Sequence, residues 1–238
     1  MSELRVEDLA KRFGGLRVFQ DVAFTLPQGG LIGVIGPNGA GKTTLINVIS
    51  GRQKATAGKV FLAGRDITNQ PAYTVSRLGL SRSFQQTNTF KSVSVEENIA
   101  RAIRFGRRGA PADLRRMLDE FGLTPRLPEI SDKLPYGLQK MLGLVMAFAS
   151  SPHTLLLDEP AAGLERSERQ NVDTFVDMVR KAGASVLVVE HDMDLIRRLC
   201  PRILVLDAGV LLADGPPAEV LARPDVIAAY LGDTEEAH

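Results

Sequence analysis

A glycine-rich segment near the N-terminus constrains the fold most, because few folds place such a loop between a strand and a helix. It follows the apolar run 31–35 and precedes the helical pattern 44–49. The segment reads Gly36-Pro37-Asn38-Gly39-Ala40-Gly41-Lys42-Thr43-Thr44. Its glycines let successive backbone N–H groups turn toward one point, and the N-terminus of the helix adds partial positive charge there. The pattern is typical of a P-loop, and it favours a bound nucleoside triphosphate over a simple glycine turn.

Two pairs of neighbouring residues carry the chemistry expected beside such a loop. Lys42 should reach the β- and γ-phosphates, and the Thr43 hydroxyl should bind Mg²⁺. The apolar run 155–157 ends in Asp158-Glu159, and ligands of open α/β sheets bind at the carboxyl ends of strands. We predict that Asp158 holds Mg²⁺ and that Glu159, a weak base, orients and polarises the attacking water. The alternative is a solvated acidic pair.

Length and composition restrict the class of protein. The chain has 238 residues, 44% of them hydrophobic and 24% charged, which are averages for globular proteins. The net charge is +1 without a long basic block, so nucleic acid is not an expected partner. The apolar runs are too short for a transmembrane helix, and no signal-peptide pattern is seen. Cys200 is the single cysteine and is expected to fill the core. We expect a soluble, cytosolic protein.

The patterning along the chain predicts an α/β fold in a single domain spanning 1–238. Residues 1–85 are rich in strand patterns, and residues 152–238 alternate strands with helices. These two parts should form the nucleotide-binding core. Residues from about 86 to 151 have helical patterns, which indicates an inserted helical subdomain.

Three further residues are less informative by themselves. Phe13 lies in a turn, where it could pack in the core or stack on a purine, and packing is the commoner outcome. Gln85 follows a short strand pattern, and His191 follows the apolar strand 186–189 and Glu190. His191 should therefore emerge at the same sheet edge as Asp158. A single His or Gln is more often a structural hydrogen-bonding group than a catalytic one.

Taken together, these motifs resemble the ATP-binding subunits of ABC transporters, in their order and approximate spacing, over nearly the whole chain. Leu134-Pro135-Tyr136-Gly137 stands at the position of the family's signature sequence. Several stretches resemble more closely the group that includes importers of branched-chain amino acids, urea and short amides. These stretches are 64–68, 82–85, 158–164, 190–193 and 229–232.

The resemblance implies a P-loop NTPase fold of the ABC type, with a mixed central sheet, an N-terminal antiparallel β subdomain and a helical subdomain that carries the signature. It also implies hydrolysis of ATP with Mg²⁺. Phe13 then stacks on adenine, which reverses the preference stated above. Gln85 contacts the Mg²⁺ and water site and links it to the membrane partner, and His191 contacts the γ-phosphate. The signature serves the ATP that is bound by a second subunit.

The partners implied by the resemblance are a second ABC ATPase subunit, transmembrane permease subunits, and a periplasmic or extracellular binding protein that acts through the complex. The permease would dock around residues 85–90 and the helix near Val95, on the inner face of the cell membrane. A non-transport ABC ATPase and a regulatory ATP-binding module are alternatives, but a basic face, tandem ATPase domains or long inserts would favour them. A nucleotide kinase or GTPase would leave Gln85, Gly137 and His191 unexplained.

The chain departs from the family pattern mainly in the signature, where the usual sequence is Leu-Ser-Gly-Gly-Gln. Pro135 replaces the serine and has neither a hydroxyl nor a backbone N–H, and Leu138 replaces the glutamine. Met146 stands where the family usually has arginine, and Glu165 where it has aspartate. Because the P-loop and Asp158-Glu159 are intact, we hypothesise a heterodimer with unequal sites, and a homodimer is the alternative. The weaker site would be the one on the partner's P-loop.

Overall fold

Two β-sheets and the helices around them form the computed structural model, which describes residues 3–83, 89–106 and 108–232. The strands are β1 Leu4–Phe13, β2 Leu16–Leu26, β3 Leu31–Ile35, β4 Ala57–Leu62, β5 Arg65–Asp66, β6 Leu80–Arg82, β7 Thr154–Asp158, β8 Ser185–Val189, β9 Ile203–Asp207 and β10 Val210–Gly215. The helices are α1 Lys42–Ile49, α2 Ala72–Arg77, α3 Val95–Gly106, α4 Leu114–Glu120, α5 Tyr136–Ala149, α6 Arg169–Lys181, α7 Met193–Leu199, α8 Pro217–Val220 and α9 Pro224–Gly232.

The smaller sheet is antiparallel, and the larger one is mixed. The smaller sheet has the strand order β2-β1-β4-β5, and its first two strands form a hairpin. The larger sheet has the order β10-β9-β3-β8-β7-β6, in which only β10 pairs with its neighbour in the antiparallel sense. The prediction of an N-terminal antiparallel β region beside a mixed central sheet is confirmed.

The five parallel strands of the larger sheet end at one edge, and this edge positions the candidate site. Val34 near the end of β3 pairs with Val189, the last residue of β8, and Val189 pairs also with Asp158 at the end of β7. On the other side of β7, Arg82 at the end of β6 pairs with Leu156. The segments that follow β3, β8 and β7 therefore lie side by side, as carboxyl ends of parallel strands do.

Both faces of the larger sheet are covered, which explains why its central strands are continuous apolar runs. Leu155 and Leu157 of β7 belong to one hydrophobic core, shared with helices α5 and α6, and Leu156 belongs to the second core, shared with α1 and the smaller sheet. Cys200 lies in the first core, 3% exposed, and burial raises the pKa of its thiol to about 12. The prediction of a core cysteine is confirmed.

Most of the predicted helices are observed, with two differences at their ends. Helix α5 has the bounds expected from its pattern, and Ser94 Oγ accepts the Glu97 N–H before α3, at 3.1 Å, as predicted for a cap. The helix expected over 166–181 begins only at Arg169, because the Glu168 carboxylate accepts the Glu165 N–H and holds a turn there. The pattern over 219–230 is split into two helices, since Pro224 starts a new one.

Helices α3, α4 and α5 lie in the part of the chain predicted to form the inserted subdomain, and the boundaries at 85 and 151 stay a prediction. Across the described ranges, none of the helices combines the length and the apolar character that crossing a bilayer requires.

Candidate functional site

The P-loop follows β3 in a conformation that requires its glycines. Gly36, Gly39 and Gly41 have φ angles of +149°, +78° and +95°, which residues with a side chain rarely adopt. A Cβ at Gly36 would lie 2.0 Å from the carbonyl oxygen of Leu206 in β9, so that position is also closed sterically. The loop therefore packs directly against β9 at the sheet edge, immediately before α1.

Lys42 and Thr43 occupy the first turn of α1. The Lys42 side chain is largely buried, and its Nζ donates hydrogen bonds of 2.7 Å to the carbonyl oxygens of Gly36 and Pro37. Its ammonium group is thus folded back within the loop. Thr43 is exposed, and no side chain caps the N-terminus of α1 at Gly41. The Lys42 ammonium group, the N-terminus of α1 and the amides of the loop together form an anion-binding arrangement.

The end of β7 places two carboxylates next to this loop. Asp158 is 3% exposed, and its Oδ2 accepts a hydrogen bond of 2.7 Å from the Arg82 guanidinium. Glu159 has a φ of +46°, which is uncommon for residues other than glycine, asparagine and aspartate. Residues in this conformation often lie at functional positions. The hydrogen bond from Glu159 N–H to Val189 O, 2.8 Å long, holds this conformation against β8.

The structure brings Glu159 and His191 together, as their positions at one sheet edge predicted. Glu159 Oε2 lies 4.0 Å from His191 Nδ1. The imidazole is 66% exposed, so it can turn toward a ligand in front of the P-loop, whereas the Glu159 side chain is only 21% exposed. A partly buried carboxylate beside an exposed imidazole is suited to holding a water molecule in front of a bound phosphate.

Sequence reasoning missed Glu190, which joins two loops of the site. Its side chain is 1% exposed, and burial raises the pKa of its carboxyl group. The carboxylate accepts hydrogen bonds from the backbone N–H groups of Ala161, at 2.9 Å, and His191, at 3.1 Å. It therefore ties the loop after β7 to the loop after β8. A charged residue directly after an apolar strand was the available signal.

Lys140 was also missed, although it is a single charge in the otherwise apolar stretch of helix α5. It is 2% exposed, and its Nζ donates a hydrogen bond of 3.1 Å to the carbonyl oxygen of Glu159. Burial lowers the pKa of Lys140, and the negative charges of Glu190, Glu159 and Asp158 oppose that shift. The lysine thus links α5 to the backbone of the residue predicted to orient water.

The segment at the signature position forms the entrance to α5. Pro135 is the N-cap residue, exposed and in an extended conformation, with φ −51° and ψ 147°, and no side chain caps the helix. A Cβ at Gly137 would lie 2.1 Å from Glu168 Oε1. The Tyr136 hydroxyl lies 3.4 Å from the Ala162 carbonyl oxygen, to which it donates. The segment therefore packs against the loop that follows β7.

The two other predicted site residues are Phe13 and Gln85. Phe13, at the end of β1, is 48% exposed, and Lys11 Nζ lies 4.4 Å from the centre of its ring. The core packing first favoured for Phe13 is therefore wrong, and stacking on a base stays a prediction. Gln85 lies outside the described residues.

A cleft of about 760 Å³ opens between β6 and helices α2, α3 and α5, beside the candidate site. Among the described residues its lining includes six cationic side chains and no acidic one. We call it the arginine-lined cleft, after Arg52, Arg77, Arg82, Arg101 and Arg104, which line it together with Lys140. Apolar side chains, among them Tyr73, Phe90 and Leu144, form the rest of its lining.

The donor set at the sheet edge fits Mg²⁺ bound together with phosphate. Thr43 offers a hydroxyl and Asp158 a carboxylate, the hard oxygen ligands that Mg²⁺ prefers. In the described part of the chain no group of three or more His, Cys, Asp or Glu side chains could hold a metal ion. A metal site here would thus depend on oxygens of the nucleotide as well, which is usual for Mg²⁺.

Comparison with known proteins agrees with this geometry. Residues 19–162 match the family model described as "ABC transporter", and residues 210–236 match "Branched-chain amino acid ATP-binding cassette transporter". The chain is 35% identical to the high-affinity branched-chain amino acid transport ATP-binding protein LivG of Salmonella typhimurium, over 97% of this chain and 98% of LivG. It is 34% identical to BraF of Pseudomonas aeruginosa, which carries the same description, over 97% of this chain and 98% of BraF.

Solved structures give the same result for the fold. A nucleotide-free ATP-binding cassette of an ABC transporter superposes with a TM-score of 0.86 at 26% identity, covering 97% of this chain and 99% of that one. The ADP conformation of another such cassette gives a TM-score of 0.87 at 27% identity, covering 98% and 99%.

Proposed function

Because the chain belongs to the ABC transporter family of ATPases, we propose that it is the ATP-hydrolysing subunit that powers an importer of branched-chain amino acids or related small polar solutes such as urea and amides. The observation that carries this proposal is the single sheet edge at which the P-loop, Asp158, Glu159 and His191 meet. The names of the relatives and the branched-chain amino acid model matched by residues 210–236 support the choice of substrate.

Each predicted site residue has a task in this proposal. Lys42 and the amides of 36–44 bind the phosphates, and Phe13 stacks on adenine. Thr43, Asp158 and Gln85 hold Mg²⁺, which neutralises charge on the phosphates when it is bound. Glu159 orients and polarises the attacking water, and His191 contacts the γ-phosphate. The burial of Asp158 and the 4.0 Å approach of Glu159 and His191 support these assignments.

The arginine-lined cleft is the surface that we assign to the membrane subunits. A docking element suited to it would place an apolar side chain among Tyr73, Phe90 and Leu144 and present carboxylates to the arginines. Part of the docking surface expected from the sequence, Phe90 and helix α3, lines this cleft. We therefore place the chain on the inner face of the membrane, bound to a permease that works with an external binding protein.

Reversing one charge of the cleft should separate the chain from its permease. Arg77 is exposed at the end of α2 and lines the cleft, so the change Arg77→Glu should repel the permease without disturbing the core. Tagged wild-type chain purified from solubilised membranes should carry permease subunits and a second ATPase, and the Arg77→Glu chain should lose the permease. Cells that depend on the variant should lose uptake of labelled leucine.

Arg115→Glu is the matched control, since Arg115 is exposed on α4 and does not line the cleft. It should keep both the permease and leucine uptake. If cells with Arg77→Glu lose uptake of urea or acetamide but keep uptake of leucine, the substrate is one of those two solutes instead. If the Arg77→Glu chain keeps the permease, the docking assignment is contradicted.

The altered signature supports a heterodimer whose two ATP sites differ. Each site would combine one subunit's P-loop with the other subunit's signature. Here Pro135 offers neither a hydroxyl nor an N–H to the ATP on the partner, and a hydrogen bond to a charged group is worth about 1.5–3 kcal/mol. The site on Lys42 depends instead on the signature of the partner.

Restoring the serine should strengthen the weaker site. In a purified complex in which Glu159→Gln leaves only the partner's site active, we expect Pro135→Ser to raise the ATPase rate about tenfold, which corresponds to one charge-assisted hydrogen bond. Because Ser also caps helices, thermal unfolding must be measured beside the rate. Pro128→Ser, at an exposed proline outside the signature, should change neither. An unchanged rate in Pro135→Ser would contradict the assignment of a weak site to Pro135.

A further inference from the structure

Arg82, the last residue of β6, bridges two elements of the site. Its NH1 donates to Asn47 Oδ1 of α1 at 2.5 Å, and its NH2 donates to Asp158 Oδ2 at the end of β7 at 2.7 Å. The side chains of Arg82 and Asp158 are only 8% and 5% exposed. The guanidinium therefore contacts α1 and β7 at the same time, in a place that excludes most of the solvent.

The two bridged elements are those that carry the predicted metal-binding residues. Asp158 is itself one of them. Asn47 stands four residues after Thr43 on α1, and residues four apart lie on the same face of a helix. The Arg82 bridge thus connects the face of α1 that carries Thr43 to the carboxylate at the end of β7.

The Arg82 bridge is better suited to fixing the spacing of Asn47 and Asp158 than to stabilising the folded state. Burying an ion pair gains little free energy, because desolvation of both charges offsets their attraction. A guanidinium is planar, however, and it holds two acceptors in one set geometry. Groups that orient metal ligands through hydrogen bonds typically change metal affinity by about 10- to 100-fold when they are removed.

We propose that Arg82 is a positioning residue that sets the placement of Asp158 relative to Thr43 and thereby determines how strongly Mg²⁺ enhances nucleotide binding. This inference rests on the proposed function, since it concerns the metal predicted to accompany ATP. Arg82 also lines the arginine-lined cleft, so the same side chain lies between the docking surface and the metal site.

The test measures binding and does not require hydrolysis. The dissociation constant of a fluorescent ATP analogue is determined for the purified full-length chain in EDTA and in excess Mg²⁺, and the ratio of the two values is the Mg²⁺-dependent gain. Asn47→Leu removes the α1 arm of the bridge but keeps the ion pair, and Arg82→Lys keeps the charge but cannot span both acceptors. We expect each to lower the gain about tenfold, with affinity in EDTA within about twofold of wild type.

The matched control is Arg198→Lys, which alters another Arg–Asp ion pair, formed with Asp173 at 2.8 Å and remote from β6. It should leave the gain unchanged. The inference is overturned if both variants keep the wild-type gain, or if they weaken binding equally in EDTA and in Mg²⁺, as a merely structural contact would. A wild-type chain without any gain would overturn the metal assignment of the proposed function itself. If Arg82→Lys does not fold, Asn47→Leu alone decides the question.

Discussion

Replacement of Glu159 by glutamine should lower the ATPase rate of the assembled transporter at least about 100-fold, the effect expected when a group that acts on the proton of the attacking water is lost. Glutamine keeps the size of the side chain and can preserve the backbone contacts of Glu159 to Val189 and Lys140. It has no negative charge with which to polarise a water molecule. ATP affinity should therefore change less than about threefold.

The measurement combines phosphate release with binding of a fluorescent ATP analogue. Glu219→Gln removes an exposed carboxylate on α8, far along the chain from the site, and should leave both quantities unchanged. If Glu159→Gln keeps more than about a tenth of the wild-type rate, the loss of transition-state stabilisation is less than about 1.4 kcal/mol. That result would contradict a role of Glu159 in the reaction.

The same substitution tests whether the two sites are unequal. If the site on Lys42 does most of the work, Glu159→Gln in this chain should abolish turnover, and the matching change in the partner should cost much less. Each change is made alone in the purified complex. Equal losses from the two changes would contradict the asymmetry, while leaving the role of Glu159 intact.

Replacement of Lys42 by alanine should weaken ATP binding about 10- to 100-fold, because charge-assisted hydrogen bonds contribute about 1.5–3 kcal/mol. The ammonium group is already held at the loop by the carbonyl oxygens of Gly36 and Pro37, so little rearrangement is needed to reach a phosphate. The loss should appear in EDTA as well as in Mg²⁺. This distinguishes Lys42 from Arg82, whose variants should affect only the Mg²⁺-dependent gain.

Thermal unfolding with and without ATP provides a second readout for Lys42. ATP should raise the midpoint of the wild-type chain, since a ligand that binds only the folded state stabilises it. The same ATP concentration should raise the midpoint of Lys42→Ala much less. Lys59→Ala, at an exposed position on β4, is the control and should behave as wild type. Undiminished ATP affinity in Lys42→Ala would contradict the phosphate-binding role of Lys42.

Much of the fold and the centre of the site could be predicted because their signals are local in the sequence. The P-loop is one continuous segment, and the apolar strands before Asp158 and His191 indicate where both residues emerge. The bounds of α5 follow from a long apolar pattern that ends at Ala149. In each case a short stretch of chain determines the structure, so no information about distant residues is needed.

The rest depends on contacts between residues far apart in the chain. Arg82 and Asp158 are 76 residues apart, and nothing near either position indicates the other. Lys140 and Glu190 look like ordinary charges until the fold buries them beside the loop after β7. The usual packing of phenylalanines favours the core for Phe13, yet the β1–β2 hairpin leaves its ring 48% exposed.

The position of Lys140 on α5 has a consequence for cooperation between the two ATP molecules of the proposed dimer. The first turn of this helix would contact the nucleotide on the partner, while Lys140 holds the backbone of Glu159 at the chain's own site. Pro135 and Lys140 are five residues apart, which is about 7.5 Å along a helix. A displacement of α5 caused by one nucleotide would therefore be transmitted, through the Lys140 hydrogen bond, to the backbone of Glu159 at the other. Such a helix would let this subunit respond to the occupancy of the ATP site on its neighbour.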